Sequence, residues 1–217
     1  MTRIQERKNS NLANEIDKVF PLSSIIFNAF KQINREVFVP NGLSGHAYSL
    51  NALPISGKQF ISSPLTVAKM THYLELDGVD SILEVGCGSG YQASILSCIV
   101  RRVFTIERIE KLLQEAKNSF KILDLDNIHT RLGDGQYGWP QYAQYDRIIF
   151  SAAASFIPKP IGEQLKENGI LIAPMDIDGK QIITKFIKKG NKLIKKELEV
   201  CEFVPIVDGT ISQDFKT

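Results

Sequence analysis

The stretch SILEVGCGSGYQAS, residues 81–94, constrains this chain more than any other. Ile82, Leu83 and Val85 read as a short apolar strand. Glycines at 86, 88 and 90 then form a loop, and a helix begins at Tyr91. Glycine on alternate positions lets the backbone turn sharply and approach a ligand closely, because no side chain intervenes. The helix start offers N–H groups that lack intrahelical partners to an anionic part of that ligand. A turn of this kind, at the carboxyl end of a strand, is where open α/β sheets bind small molecules.

A dinucleotide fits the loop poorly. Its G-x-G-x-x-G fingerprint, counted from Gly86, requires glycine at position 91, which is Tyr91. The order Glu84, Gly86, Gly88, Gly90 instead resembles the first motif of the S-adenosylmethionine (SAM)-dependent methyltransferases of Rossmann-like fold. SAM has no pyrophosphate, so its loop need not make room for one. Gly-x-Gly alone is a weak signal, and a plain glycine turn competes with this reading.

The flanking sequence predicts the fold. A short helix is expected over residues 11–20, stopped by Pro21. A second amphipathic helix follows from the stripe Leu22, Ile25, Ile26, Ala29, Phe30 and Ile33. Residues 36–64 break the helical period, and irregular segments of this length tend to be functional. Ser62 or Ser63 could cap the next helix, with Pro64 in its first turn and the helix running over residues 65–76. From Ser81 strands and helices alternate. Strands are expected at 81–86, 102–106, 127–132, 147–151 and 169–174. Helices are expected at 91–99, along Ile109, Leu112, Leu113, Ala116, Phe120 and Leu123, and from Pro158 to Lys166.

Repeated βα units of this length predict a doubly wound, mostly parallel α/β sheet with helices on both faces. Residues 180–189 and 192–201 flank Gly190-Asn191, a two-residue hairpin turn, so the sheet should end in an antiparallel edge. One domain is expected over 1–217: N-terminal helices and an acceptor-side loop (1–80), a cofactor core (81–175) and the sheet edge (176–217).

Composition narrows the function. The net charge is only +2, with 43% hydrophobic and 23% charged residues. Neither nucleic acid nor a membrane surface is implied. Lysines 180, 185, 188, 189, 192, 195 and 196 crowd the hairpin without interleaved aromatics, which suits a blunted sheet edge better than a nucleic-acid patch. Three cysteines, Cys87, Cys98 and Cys201, give neither a disulfide framework nor a metal site. His46, His72 and His129 stand apart from each other, so no metal is expected. The N-terminus is too polar for a signal peptide, and no apolar run approaches the ~20 residues of a bilayer span. A cytoplasmic monomer is the expectation.

Three acidic or hydroxyl positions could carry chemistry. Glu107 ends the second strand of the alternating pattern, about 20 residues past the glycine loop, where a carboxylate can accept from both ribose hydroxyls of a nucleoside. A solvated strand-end acid is the alternative. Asp134, between two glycines in LGDGQYGWP, is a plain turn residue or an acceptor for an adenine amino group. Ser62 is a helix cap or a catalytic hydroxyl. Trp139 is expected to be a packing anchor.

These pieces together resemble the protein-L-isoaspartate O-methyltransferases, from about Arg35 to Val207. The resemblance lies in REVFVP, ALPI, QFISSP, LEVGCGSGYQA, IERI, GDGQYGW and FVPIVDG. It implies methylation of the α-carboxylate of L-isoaspartyl residues in damaged proteins and peptides, with SAM as cofactor, S-adenosyl-L-homocysteine as product and no metal. It implies a catalytic role for Ser62 and cofactor contacts at Gly86, Gly88, Gly90, Glu107, Asp134 and Gly135. Glu84, Tyr91 and Arg108 count with these as cofactor-binding residues. Ser49 stands where the family usually has Asp, Ser56 and Lys58 where it has Gly, and Phe60 where it has Thr. These departures cluster on the acceptor side. Three rivals remain: another methyl acceptor, a SAM-binding protein with little turnover, and a nicotinamide-dependent dehydrogenase, which Tyr91 argues against.

Overall fold

The first helix begins well before its apolar stripe. In the computed structural model, which describes residues 2–212, α1 runs Arg3–Val19 rather than 11–20. Thr2 caps it through a reciprocal capping box with Gln5. Only its second half carries the buried apolar residues Leu12, Ala13 and Ile16. Periodicity therefore detects the packed half and misses the capped, solvated one. Helix α2, Ser24–Gln32, buries Ile26, Ala29 and Phe30.

The aperiodic segment that follows is built from short pieces. Two 3₁₀ turns, Arg35–Phe38 and Asn41–His46, lead into a small hairpin of β1 (Leu53–Ile55) and β2 (Gln59–Ile61). Gly57 and Lys58 take positive φ at its tip. Strands of three residues leave no alternation to read, which explains why the segment looks irregular in sequence. Helix α3, Pro64–Tyr73, is capped by Ser63, whose side chain accepts from the Thr66 N–H at 3.0 Å.

The alternating units then follow the predicted order. They are β3 (Ser81–Val85), α4 (Tyr91–Ser97), β4 (Arg102–Glu107), α5 (Glu110–Ile122), β5 (Ile128–Leu132), β6 (Tyr145–Phe150), α6 (Lys159–Gln164) and β7 (Leu165–Ile177). The hairpin β8 (Lys180–Lys189) and β9 (Lys192–Val200) completes a seven-stranded sheet in the order β5-β4-β3-β6-β7-β8-β9. Pairs from β5 to β7 are parallel; β8 and β9 are antiparallel. The mostly parallel sheet with an antiparallel edge is thus the observed architecture. Strand β7 starts earlier than expected because α6 ends at Gln164 and Asn168 turns with φ +61.

The two faces of the sheet are covered unequally. Helices α1 to α5 contribute to one apolar cluster with Ile82, Val103 and Ile149. The other face packs α6, through Ile161, against Leu83, Phe104, Ile148 and Leu171. Trp139 serves there as an anchor, edge-on to Phe104 at 5.8 Å. Of the hairpin lysines, 192, 195 and 196 do lie on the edge strand β9. Lys180, Lys185, Lys188 and Lys189 depart from that expectation. They lie on β8, where Lys185 pairs with Glu75 and Lys188 donates to the carbonyls of Glu163 and Leu165. Among the described residues, no helix is long and apolar enough to cross a membrane.

Candidate active site

Strand order reverses between β3 and β6. The chain winds outward through β4 and β5, then returns to lay β6 on the other side of β3. The crevice beyond the carboxyl ends of these two strands is the binding position expected of such sheets. The Ser151 N–H donates to the Val85 carbonyl at 2.8 Å and closes the floor between them.

The glycine loop leaves β3 here. Gly86, Gly88 and Gly90 all have positive φ. At Gly90 the need is also spatial, since a Cβ would stand 2.6 Å from the Phe120 ring of α5. Four loop N–H groups are satisfied within the protein. Gly86 and Cys87 donate to the Ile106 carbonyl, Gly90 to the Cys87 carbonyl, and Gly88 to a Glu107 carboxylate oxygen at 2.8 Å. A pyrophosphate would need several of these donors free, so the loop suits a ligand without one.

Glu107 is held from both sides. Its second oxygen accepts from the Arg108 and Ile109 N–H groups at 2.8 and 2.9 Å. Glu84, one strand over, is fully buried. It accepts from the Thr105 hydroxyl at 2.6 Å and the Ser151 hydroxyl at 3.0 Å. Burial pushes its carboxyl up to about 8, against the opposing pull of these two bonds. Burial likewise raises the Cys87 thiol well above its ordinary range, which leaves it unreactive.

A strap from the C-terminal segment crosses this end of the sheet. Ala153 exchanges hydrogen bonds with Val204 and Ile206, and Ile211 with Arg108 and Glu110. The Arg108 guanidinium donates to the carbonyls of Gly209 and Asp208. Asp134 accepts from the Gln136 N–H with one oxygen and from the Gly209 N–H at 2.8 Å with the other. Asp134 and Arg108 therefore hold the strap down as well as standing beside the crevice.

Three cavities follow one another along the crevice. The innermost is lined by Gly88, Ile106, Glu107, Arg108, Gly135 and the strap residues Val204 to Val207. A narrow throat follows, lined by Ser62, Glu84, Cys87, Tyr91 and Gln92 among others. The outer cavity lies between Asn51, Ser62, Thr66, Glu202 and Phe203. Phe60 and Ser151 line all three, so they form a single trough. Ser62 lines the throat and the outer cavity. With Ser63 capping α3, Ser62 is not taken up by the helix start. Gly90 and Asp134, both expected at the cofactor, line none of the three. Gly135 does, and its missing Cβ matters, because one would lie 2.5 Å from a Val85 methyl.

The sequence does not place the strap at the site, and it marks Ser151 only as part of an apolar SAAAS lining beside Phe60, not as a hydrogen-bond donor to Glu84. FVPIVDG has no periodicity that reveals where it lies, and Ser151 becomes significant only through the pairing of β3 with β6. Among the described residues no group of three His, Cys, Asp or Glu could hold a metal ion.

Similarity to known proteins agrees with this arrangement. Residues 6–211 match the family described as protein-L-isoaspartate(D-aspartate) O-methyltransferase. A protein-L-isoaspartate O-methyltransferase of Helicobacter pylori (strain P12) is 55% identical over 203 residues, 93% of this chain and 97% of that protein. One from Maricaulis maris (strain MCS10) is 43% identical over 184 residues, 85% of this chain and 86% of that protein. A solved protein-L-isoaspartate O-methyltransferase superposes with a TM-score of 0.84 at 27% identity, over 92% of this chain and 66% of that one. A Plasmodium falciparum structure in complex with S-adenosyl-L-homocysteine has the same fold, with a TM-score of 0.82 at 22% identity, over 92% and 98% of the two chains. Sequence, fold and relatives together establish that the chain belongs to the protein-L-isoaspartate(D-aspartate) O-methyltransferase family.

Proposed function

We propose that this chain transfers a methyl group from SAM to the α-carboxylate of L-isoaspartyl residues in damaged proteins and peptides. S-adenosyl-L-homocysteine is the second product, and collapse of the ester to a succinimide reopens a route to normal aspartate. One observation carries the reading: the continuous trough, which joins the cavity beside Glu107 to an outer cavity through a throat lined by Ser62.

The inner cavity suits a nucleoside. Ile106, Ile109, Leu112 and Ile206 give it apolar walls, Gly135 leaves space beside Val85, and the Glu107 carboxylate is the acceptor for ribose hydroxyls. Glu84, with Gly86 and Gly88, belongs to the throat and serves the amino-acid end of the cofactor. Gly90 and Tyr91 shape the loop from behind. Arg108 and Asp134 act through the strap. When bound, SAM supplies a methyl group on a positively charged sulfur.

The chain's own task is alignment. A carboxylate is already ionised near neutral pH, with an ordinary pKa of about 4, so no general base is required. Ser62 donates a hydrogen bond that fixes one carboxylate oxygen. Phe60, half exposed at the junction of the cavities, excludes water from the acceptor. Charge is neutralised as the methyl moves, so a drier throat favours the transition state.

Residues 1–80, 81–175 and 176–217 act as one catalytic domain, since each contributes to the trough; residues 213–217 lie outside the described part. The three described cysteines are unpaired. That suits a reducing compartment, the cytoplasm, and the chain works as a monomer without nucleic acid or membrane. The deciding experiment is transfer of labelled methyl to paired peptides, one with L-isoaspartate and one with ordinary aspartate. Label should enter only the first and should be lost in base. Base-stable label would identify a different acceptor, and absence of label would identify a binding protein without turnover.

A further inference from the structure

Arg35 is fully buried, yet no carboxylate pairs with it among the described residues. One guanidinium nitrogen, Nη2, donates to the Ser62 carbonyl at 2.8 Å. The guanidinium carbon lies 4.4 Å from the centre of the Tyr91 ring. Nε and Nη1 make no hydrogen bond of good geometry, and the only polar side chain among the described residues that supports the guanidinium is the Tyr91 hydroxyl, which offsets part of the cost of burial. A buried cation in such a setting is expensive, and an apolar side chain of similar size often packs in its place without loss of stability. Packing alone therefore does not account for the arginine.

Its two contacts do. Ser62 belongs to the link between β2 and α3. Tyr91 is the first residue of α4, directly after the glycine loop, and its ring is wedged edge-on against Phe30 and Phe38. The planar guanidinium bridges these two pieces. It bonds the backbone of one and lies over the ring of the other, a combination that the point charge of a lysine reproduces only in part. The charge has a second consequence. The outer cavity and throat are lined by the acids Glu84 and Glu202 and by no lysine or arginine.

We propose that Arg35 is a positioning residue for methyl transfer: through Ser62 and Tyr91 it sets the distance between acceptor and cofactor, and it places a fixed positive charge behind the throat. The inference rests on the methyltransferase reading, so wild-type turnover on the isoaspartyl peptide is the first control. Failure there refutes that reading and leaves Arg35 out of account.

The test compares Arg35→Met and Arg35→Lys with wild type by kcat, peptide KM, SAM affinity and melting temperature. Arg35→Met should keep or raise the melting temperature, bind SAM within about threefold and lose about tenfold or more in kcat. Arg35→Lys, which keeps the charge without the planar fork, should recover part of that loss. A purely structural arginine gives the opposite pattern, a lower melting temperature with unchanged kcat. Folded Arg35→Met with kcat within twofold of wild type overturns the proposal. Should Arg35→Met fail to fold, Arg35→Lys decides: wild-type kcat in that variant overturns it equally.

Discussion

The cofactor end and the acceptor end of the trough are built by different means. At the cofactor end, the glycine loop and Glu107 are fixed by backbone close to the strand ends: Glu107 accepts from Gly88, Arg108 and Ile109, and Gly86 and Cys87 donate to Ile106. The acceptor end gathers side chains from distant parts of the chain. Ser62 comes from the link after the hairpin, Ser151 from the end of β6, Phe203 from the start of the strap, and Arg35 stands behind them. Short-range backbone bonds make a site that survives changes elsewhere. A site assembled at long range can be altered by side chains that touch no ligand. Damage at the first end should therefore abolish cofactor binding, and damage at the second should slow transfer with cofactor bound.

The strongest test of that division is Glu107→Ala. It removes the acceptor for three N–H groups and the acceptor proposed for the ribose hydroxyls. Hydrogen bonds to a charged group are worth about 1.5–3 kcal/mol each, so SAM affinity should fall by roughly a hundredfold or more. Calorimetric titration measures it; wild-type affinity in the folded variant would abolish the distinction between the two ends. Next in size is Ser62→Ala. Loss of one positioned hydroxyl should lower kcat on an isoaspartyl peptide about tenfold to a hundredfold, with SAM affinity within about twofold. Equal losses in both quantities would mean that Ser62 serves the cofactor as well.

The same division governs what could be read from sequence. The parallel core was legible because βα units write their strands as apolar runs and their helices as 3.6-residue stripes. The glycine loop and Glu107 were legible because the loop follows one strand directly and Glu107 ends the next. The acceptor end was legible only through resemblance. The strands at Leu53–Ile55 and Gln59–Ile61 are too short to alternate visibly. The strap's position depends on bonds to Ala153 and Arg108, about 50 and 100 residues back, which no local pattern encodes. Asp134 is the instructive case. Its turn was recognisable, but half of what its carboxylate does, holding Gly209, is invisible until the strap is in place.

Asp134→Ala sharpens the comparison because Asp134 lines none of the three cavities and reaches the inner one only through the strap. The strap loses the Gly209 bond, and the Gln136 N–H loses its acceptor. About tenfold weaker SAM binding is expected, chiefly through faster dissociation. Stopped-flow displacement of bound cofactor separates this from a slower on-rate. An unchanged off-rate would mean that Arg108 and the Ala153 bonds suffice to hold the strap.

The most gradual effect, spread over several pH units, concerns Glu84, where the two ends meet. Its carboxyl is raised from an ordinary 4.5 to about 8, first by burial and secondarily by the Glu107 charge, against the bonds from Thr105 and Ser151. The folded chain without cofactor therefore binds this proton more tightly than the unfolded chain does. Stability from this group is complete below pH ~4.5 and declines as pH rises from there through pH ~8. The slope between is on the order of 1 kcal/mol per pH unit, or about 2–4 °C in melting temperature for a chain of this size. Glu84→Gln stays neutral at every pH and keeps the shape, so it should remove that part of the slope and leave the rest. If the two slopes coincide from pH 5 to 8, Glu84 is ionised in the folded chain. The throat would then present a standing negative charge to the incoming carboxylate, and the fixed positive charge behind Ser62 would have more to offset.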